Sequence, residues 1–476
     1  MPFWGLAPRT VRKRAAEALR SGDSLMRVVV RDGKVTDVEG GPKWMQDAMR
    51  GMMEKFVQYL PSMEIAFNTI DEPRVVVPHD DLERFLARAL TKNMLAASSN
   101  RSPINSFSSH STKSKENTDT NMNTISFTQI GRSPSWQHLR LGCRPDSPAG
   151  ALADADSEDD VKSYGQGELG FIYNTSTMSD VCLSPSLRAS HGFFDRPDTH
   201  SISYDLLPIF SQSKTSVNND ILYPSLWYWV DMVHYDATSD VPWSKKQDRL
   251  YWRGSTTGGF ATGGNWKGHH RQRFVDMMSG NGSATVLSRR GDDHAAGGWA
   301  VETVERGEYR DLVDVAFTKV VQCDEADCAA QTAHFDVQAR ASQQDGWHSR
   351  MVLDMDGNAF SGRFYALLRS RSLTLKFASF REWHAEWLRP WVHYAPLSLQ
   401  GREWLELVRY FSDGDGGGGA AEAEGMAARS TDWAERVLRK EDMEAWFFRL
   451  LLEYGRIIDD QRAYIGFTFS GANVKR

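Results

Sequence analysis

The chain has 476 residues, of which 41% are hydrophobic and 25% are charged, and its formal net charge is −6. These values are typical of a soluble globular protein of two or three domains, and a mildly acidic chain lacks the basic field of a nucleic-acid-binding protein. No run of about 20 apolar residues predicts a transmembrane helix, and the N-terminus lacks the apolar stretch and cleavage pattern of a signal peptide.

The first half of the chain begins with short, well-marked elements. Apolar, β-rich runs over 25–38 predict a hairpin that turns at Asp32-Gly33. Helical periodicity follows over 42–60, and an apolar strand is predicted over 63–67. Residues 95–135 are rich in Ser, Thr and Asn and contain few large apolar side chains, so they predict a disordered insertion.

The second half alternates strands with helices. Strands are predicted over 248–252, 312–321, 351–353 and 372–377, helices over 266–278, 401–411 and 432–460, and a flexible Gly/Ala/Glu loop over 413–425. Because strands and helices alternate in both halves, the sequence predicts an α/β protein with two doubly wound sheets and a cleft between them. The predicted domains are residues 1–240 and 241–430, and 431–476 form a helix that packs back across them.

The four cysteines are Cys143, Cys182, Cys323 and Cys328. They form no CxxC pair and no Cys/His cluster of zinc spacing, so no metal site is expected. Cys323 and Cys328 are close enough in sequence for a small-loop disulfide if the chain is secretory. Four free thiols are the alternative.

The stretch over 348–376 predicts a strand, a loop, a helix and a second strand. Its loop, 354–362, is rich in Asp, Gly, Asn and Ser, and Arg363 stands where the helix begins. A glycine-containing loop before a helix offers unpaired backbone N–H groups, and the planar guanidinium of arginine suits phosphate. The pattern fits a phosphate site, but it is equally typical of an ordinary strand–loop–helix turn.

Three further features are candidates for chemistry. Residues 253–259 combine Arg, Gly, Ser and Thr after a strand, which fits an anion-binding loop or a plain glycine-rich turn. Asp71 lies just past a strand, where a carboxylate can deprotonate an acceptor hydroxyl, although Asp-Glu-Pro is also a common turn. His393 lies among aromatic residues and fits a hydrogen-bonded core histidine better than a catalyst.

Several of these segments, taken in order, resemble a known family. They are YWRGS at 251–255, HRQRF at 270–274, LDMDGNAFSGRF at 353–364, SL at 372–373 and PWVHYAPL at 390–397, with 63–73 and 210–216 upstream. This series resembles the fungal capsule-associated glycosyltransferases, glycosyltransferase family 90, which also contains the animal protein O-glucosyltransferases. Each motif alone is short, and their common order makes the resemblance specific.

The resemblance implies a GT-B fold, in which two Rossmann-like domains face each other across a cleft. It implies a UDP-sugar donor, inversion at the anomeric carbon, and neither a metal nor another cofactor. Residues 1–240 would be the acceptor side and 241–430 the donor side, with Asp71 as the general base. The donor-binding positions are Arg253, Gly254, Ser255, Asn358, Ala359, Phe360, Ser361, Gly362 and Arg363, and Trp227, Tyr228 and Trp229 are weaker acceptor-side candidates.

The resulting hypothesis is a metal-independent transfer of a sugar, with xylose favoured, from a UDP-sugar to a hydroxyl of a glycan. O-Glucosylation of a protein serine and a non-catalytic sugar-binding role are the alternatives. The expected partners are the UDP-sugar and a glycan or glycoprotein, without nucleic acid, and with the membrane only through an anchor that this sequence does not contain. The family is generally secretory, in the Golgi or endoplasmic reticulum, so this location is expected from the resemblance alone.

Overall fold

A computed structural model describes residues 2–108, 125–151, 158–289, 298–412 and 418–466. Within these ranges no helix is both long and apolar enough to cross a membrane. The described residues form two five-stranded sheets, three small two-stranded sheets and many helices, which confirms the predicted mixed α/β class.

The described strands are numbered here in chain order. They are β1 Leu25–Arg31, β2 Lys34–Glu39, β3 Met63–Asn68, β4 Thr128–Gln129, β5 Gly165–Gln166, β6 Phe171–Ile172, β7 Ser201–Ile202, β8 Ile209–Ser211, β9 Ile221–Leu222, β10 Gln247–Ser255, β11 Ser283–Arg289, β12 Trp299–Glu305, β13 Val313–Lys319, β14 Ser349–Met355, β15 Leu373–Phe377 and β16 Ala395–Pro396.

The first large sheet has the strand order β2-β1-β3-β8-β9. β1 pairs antiparallel with β2 and β3, whereas β3, β8 and β9 are parallel. The predicted hairpin is confirmed, since Asp32 and Gly33 have φ values of 47° and 71°, as a two-residue hairpin turn requires. Because the hairpin places an antiparallel strand beside β3, this sheet is mixed, which corrects the prediction of a second doubly wound sheet.

The second large sheet is wholly parallel and has the order β13-β10-β14-β15-β16. Its first strand in sequence, β10, lies between the second and the third, β13 and β14. The sheet therefore grows first to one side of β10 and then to the other. In open parallel sheets such a reversal leaves a crevice at the carboxyl ends of the two strands, here β10 and β14.

Helices connect and cover the two sheets. The described α-helices are Pro8–Ser21, Lys43–Met53, His79–Arg88, Met94–Ser98, Trp136–Leu139, Thr175–Met178, Leu187–Ser190, Gly192–Asp195, Leu226–Trp229, His270–Ser279, Glu325–His334, Phe364–Arg369, Trp404–Phe411, Gly419–Val437 and Lys440–Ile458.

Two predictions about the C-terminal region are wrong. The predicted loop over 413–425 contains the start of the helix Gly419–Val437, and 413–417 lie outside the described residues. The predicted single helix over 432–460 is two helices, because Arg439 is extended and its backbone N–H donates to the Asp442 carboxylate at 3.0 Å. Alanine and glutamate are strong helix formers, and they outweigh the glycines of this segment.

The predicted insertion over 95–135 is folded at both flanks, and 109–124 lie outside the described residues. On one side, Met94–Ser98 is helical. On the other, Ile125 and Ile130 are 6% and 2% exposed, and β4 pairs with β7. The prediction of disorder is wrong for these flanks, because two buried isoleucines and a strand pairing anchor an otherwise polar segment.

The last helix, Lys440–Ile458, packs on the first sheet although it lies at the other end of the described chain. The Phe447 ring lies 6.1 Å from the ring of Phe67 on β3. On the same helix, Trp446 contacts Trp383, which follows β15, at 5.6 Å. The helix therefore touches both halves of the molecule.

All four cysteines are paired. Cys143 bonds to Cys182, and Cys323 bonds to Cys328. The small-loop disulfide is therefore present, and the alternative of four free thiols is wrong. The first disulfide closes a loop of 39 residues and the second a loop of 5.

The two disulfides are expected to stabilise the protein unequally. Removing a cross-link releases chain entropy in the unfolded state, and the effect grows with loop length. Changing both Cys143 and Cys182 to alanine should lower the free energy of unfolding by about 4 kcal/mol, against about 2 kcal/mol for Cys323 and Cys328. Thermal denaturation of the two double variants tests this, and equal losses would contradict it.

Candidate active site

The two predicted donor-binding segments meet at the crevice between β10 and β14. Tyr251 on β10 pairs with Val352 on β14, so the carboxyl ends of these strands lie side by side. Arg253, Gly254 and Ser255 are the last residues of β10 rather than part of a loop. The loop over 356–363 follows β14 directly. The structure thus brings together the residues that the resemblance selected on these two strands.

Two hydrogen bonds join the segments directly. The backbone N–H of Gly258 donates to Asn358 Oδ1 at 3.2 Å, and Arg363 Nη1 donates to the carbonyl of Arg253 at 2.7 Å. Gly258 has φ 111°, and a Cβ atom there would lie 2.6 Å from His270 Cε1, so only glycine fits this approach. Ala359 is fully buried and Phe360 is 8% exposed, so the loop is anchored by its own apolar side chains.

Arg271 forms hydrogen bonds to both the end of β10 and the loop after β14. This supporting contact is not apparent from the sequence. Its guanidinium donates to the carbonyls of Asp356 at 2.7 Å and Met355 at 3.2 Å, and on the other side to the carbonyl of Ser255 at 3.0 Å. Burial lowers the pKa of this guanidinium to about 9. The motif at 270–274 contributed to the family resemblance, but the sequence does not show whether its arginines are buried or exposed to solvent.

The side chain of Arg253 is already engaged within the sheet. Its guanidinium donates to the carboxylate of Asp314 on β13 at 2.5 Å and to the carbonyl of the same residue at 2.8 Å. At the crevice, the Arg253 carbonyl accepts the hydrogen bond from Arg363. The Arg253 guanidinium pairs with the Asp314 carboxylate, which Arg249 also contacts at 3.0 Å. The prediction overlooked this partner because a parallel strand far away in sequence supplies it.

Arg363 is a cationic group of the crevice that has no carboxylate partner among the described residues. Besides its hydrogen bond to Arg253, its guanidinium lies over the Trp252 ring at 5.9 Å. Burial lowers its pKa, while Asp354 and Tyr251 favour the charged form. It lines a cavity of about 150 Å³ together with Tyr251 and Ser342. A guanidinium with free N–H groups beside a cavity can bind phosphate oxygens.

Asp71 lies at the carboxyl end of β3 on the first sheet. The side chain of Asn68 holds this turn, since its Nδ2 donates to the carbonyl of Glu72 at 2.8 Å. The Asp71 carboxylate is partly buried and accepts no hydrogen bond from the described residues. Burial raises its pKa, and burial together with the Asp71 charge raises the pKa of Glu72 well above its ordinary value. A partly buried carboxylate without a donor is suited to accept a proton.

A chain of contacts joins the turn of Asp71 to the loop over 356–363. A Cβ atom on Gly41 would lie 2.8 Å from Thr69 Cγ2, two residues before Asp71. Three residues after Gly41, the Trp44 ring packs edge-on against the Trp227 ring, with the ring centroids 5.7 Å apart. A Cβ atom on Gly362 would in turn lie 3.5 Å from Trp227 Cε3. The two candidate sites are therefore linked through a pair of half-buried tryptophans.

The three aromatic residues predicted on the acceptor side have different environments. Trp227 is half-buried and lies between Trp44 and Gly362, where an aromatic face can contact a sugar. Tyr228 is 6% exposed, and its hydroxyl lies 2.8 Å from the carbonyl of Ser361. The indole N–H of Trp229 donates to Glu444 at 3.1 Å. Tyr228 and Trp229 are packed side chains, which leaves Trp227 as the acceptor-side candidate.

His393 is a structural residue, as the sequence predicts. Its Nδ1 accepts from the backbone N–H of Arg389 at 2.9 Å, and its ring stacks on Trp433 at 5.3 Å. Among the described residues, no group of three or more His, Cys, Asp or Glu side chains has the arrangement of a metal site.

Residues 304–462 match the family model described as Glycosyl transferase family 90. The matched range contains the loop over 356–363 and Arg363, whereas Asp71 and Arg253 lie before it.

The chain is also similar to curated animal proteins. It is 25% identical over 277 residues to the O-glucosyltransferase rumi homolog of Aedes aegypti, covering 53% of this chain and 56% of that protein. It is 23% identical over 286 residues to O-glucosyltransferase rumi of Drosophila melanogaster, with coverages of 54% and 58%. It is 24% identical over 285 residues to Protein O-glucosyltransferase 1 of Homo sapiens, with coverages of 56% and 61%.

The chain thus spans little more than half the length of these curated relatives. Residues 304–462 are therefore similar to glycosyl transferase family 90, and just over half of the chain is similar to curated O-glucosyltransferases.

Proposed function

We propose that this chain is an inverting glycosyltransferase that moves a sugar from a UDP-sugar to a hydroxyl group, without a metal held by the protein. The observation that carries the proposal is the position of Arg363. Its guanidinium has no carboxylate partner among the described residues, and it lines a cavity at the crevice of the parallel sheet. One side of that crevice, β14 and the loop over 356–363, lies within residues 304–462, which match the Glycosyl transferase family 90 model, whereas β10 precedes them.

Asp71 on the first sheet and Arg363 at the crevice of the second sheet together suit a displacement with inversion. The acceptor oxygen attacks the anomeric carbon while the bond from that carbon to the UDP oxygen breaks. Asp71 takes the proton of the acceptor hydroxyl, and its raised pKa makes it a better base near neutral pH. The departing diphosphate gains negative charge, which Arg363 and the backbone N–H groups of 358–363 stabilise.

We also propose a GT-B arrangement for the two halves. Residues 1–240 would carry the acceptor side and 241–430 the donor side, with 431–476 crossing between them. This arrangement is supported by the location of Asp71 after a strand of the first sheet and of Arg363 after a strand of the second. The tryptophan pair Trp44 and Trp227 would then form part of the cleft wall.

The donor sugar and the acceptor have two candidate assignments. Transfer of xylose to a glycan follows from the resemblance to the fungal capsule-associated enzymes. Transfer of glucose to a protein serine is favoured by the names of the animal relatives, which are O-glucosyltransferases. The two disulfides are consistent with either reaction in the secretory pathway, because they form in oxidising compartments.

Release of UDP tests the proposal. The full chain is incubated with UDP-xylose, UDP-glucose or UDP-galactose, each with glycan acceptors and with serine-containing protein domains. Release from UDP-xylose with a glycan supports the first assignment, and release from UDP-glucose with a protein domain supports the second. Binding of UDP without release from any donor would contradict the proposal and favour a non-catalytic sugar-binding protein.

A further inference from the structure

The loop that carries the proposed diphosphate site also contacts a buried tyrosine from the other half of the chain. Tyr228 belongs to the helix Leu226–Trp229, and its ring stacks on Tyr365 with centroids 3.8 Å apart and planes at 3°. Its hydroxyl lies 2.8 Å from the carbonyl oxygen of Ser361 and 2.8 Å from Glu382 Oε2. Ser361 lies two residues before Arg363, so this contact fixes the loop next to the guanidinium.

The two contacts of the Tyr228 hydroxyl compete for a single proton. A tyrosine hydroxyl can donate once, and a carbonyl oxygen can only accept. If Tyr228 donates to Ser361, the short contact with Glu382 requires a proton on Glu382 Oε2, which then donates to the tyrosine oxygen. If Glu382 is ionised, its carboxylate accepts the hydrogen bond of the tyrosine hydroxyl, and the Ser361 carbonyl keeps only the longer bond from the Phe364 backbone N–H at 3.4 Å. The protonation state of Glu382 therefore decides whether Tyr228 helps to hold the loop.

The surroundings of Glu382 favour the protonated form. Its side chain is 3% exposed, and the nearest ammonium, Lys376 Nζ, is 4.0 Å away. That ammonium lies 2.5 Å from Asp354, which already neutralises it. An isolated buried carboxylate is costly, so burial raises the pKa of Glu382 to about 8, although Lys376 and the tyrosine hydroxyl oppose this.

The other titratable groups around Glu382 do not supply a compensating charge. Burial and the charge of Lys376 lower the pKa of His384 well below its ordinary value, so this histidine, 3.6 Å away, is neutral. Asp356 adds a further carboxyl group, and burial raises its pKa to about 7. The groups that face Glu382 from the packed elements are Tyr228, Asp354, Asp356, Tyr365, Lys376 and His384.

We propose that Tyr228 and Glu382 are positioning residues of the donor site, and that a proton on Glu382 frees the Tyr228 hydroxyl to hold the carbonyl of Ser361. The inference rests on the proposed function, because it assumes that the loop over 358–363 binds the diphosphate of the donor. It predicts that donor binding weakens as Glu382 loses its proton, which occurs as the pH rises through about 8.

Binding of UDP at pH 7 and pH 9 tests this inference on the full chain. Loss of one hydrogen bond should weaken binding about fivefold. The wild-type protein should therefore bind UDP about fivefold more weakly at pH 9 than at pH 7. Glu382→Gln should show a smaller change between the two values than the wild type, because its amide N–H₂ donates to Tyr228 at any pH, and the remaining change would come from Asp356. Tyr228→Phe should be weak at both values and show little change with pH.

Tyr235→Phe is the matched control, because this tyrosine also donates to a carboxylate, Asp240 at 2.8 Å, away from the loop. It should bind UDP as the wild type does and with the same pH dependence. Melting temperatures of all variants separate loss of fold from loss of positioning. If the wild type binds no UDP, the proposed function fails. If the wild type binds UDP but Tyr228→Phe binds as tightly, or Glu382→Gln keeps the wild-type pH dependence, the positioning inference is wrong.

Discussion

Replacing Asp71 with asparagine is expected to lower the turnover number for sugar transfer by about three orders of magnitude and to leave UDP binding unchanged. Asparagine has the same shape but cannot accept the proton of the acceptor hydroxyl. The Asp71 carboxylate accepts no hydrogen bond from the described residues, so its neutral replacement removes no contact that holds the fold. Steady-state release of UDP gives the turnover number, and calorimetry gives the dissociation constant of UDP.

Asp205→Asn is a suitable control, because Asp205 also belongs to the first half and pairs at 3.4 Å with Arg14. It should retain the wild-type rate. Transfer by Asp71→Asn at the wild-type rate would rule out Asp71 as the base. Loss of UDP binding in the same variant would show that Asp71 acts on the donor instead.

Replacing Arg363 with glutamine should lower kcat/KM by about two to three orders of magnitude, and here UDP binding should weaken as well. Glutamine removes the charge that meets the diphosphate and also the donor to the Arg253 carbonyl, which lies at 2.7 Å. Arg363→Lys keeps the charge but loses the planar fork, so an intermediate loss is expected. The dissociation constant of UDP and kcat/KM with the best donor of the UDP-release experiment measure both effects.

Arg310→Gln serves as the control, because this exposed arginine of the same half contacts Asn281 Oδ1 at 3.1 Å. Unchanged kcat/KM is expected for it. Tight binding of UDP by Arg363→Gln would refute the proposed diphosphate site. A lowered melting temperature in that variant would mean that part of the loss reflects the support Arg363 gives to β10.

The sequence predicts local structure where its signal is local. The hairpin of β1 and β2 follows from alternating residues and an Asp-Gly turn, and the strands β10, β13, β14 and β15 of the second half follow from periodicity. The β11–β12 hairpin and the helix Glu325–His334 were not predicted. The segment over 413–425 was predicted to be a loop because of its glycines, although the alanine and glutamate residues after them favour a helix. The mixed first sheet depends on pairing between β3 and β8, more than 140 residues apart, and no local pattern encodes it.

The candidate site shows the same division. Family resemblance selected Asn358, Arg363 and Arg253, and the structure joins Arg363 to Arg253, and Asn358 to Gly258 of the neighbouring segment, by hydrogen bonds. It could not reveal that Asp314 pairs with Arg253, because that partner comes from a strand some 60 residues later. Tyr228 was selected as an acceptor-side aromatic, yet it lies beneath the loop, since burial of a side chain depends on distant elements rather than on its neighbours.

The path of the last helix bears on how the protein reaches its folded state. The apolar surface around Phe67 is covered by Lys440–Ile458, nearly 400 residues further along the chain. During synthesis this surface stays exposed until residues 440–458 have left the ribosome, and such late, long-range closure slows folding and leaves aggregation-prone intermediates. A fragment ending near residue 240 should therefore aggregate when produced alone.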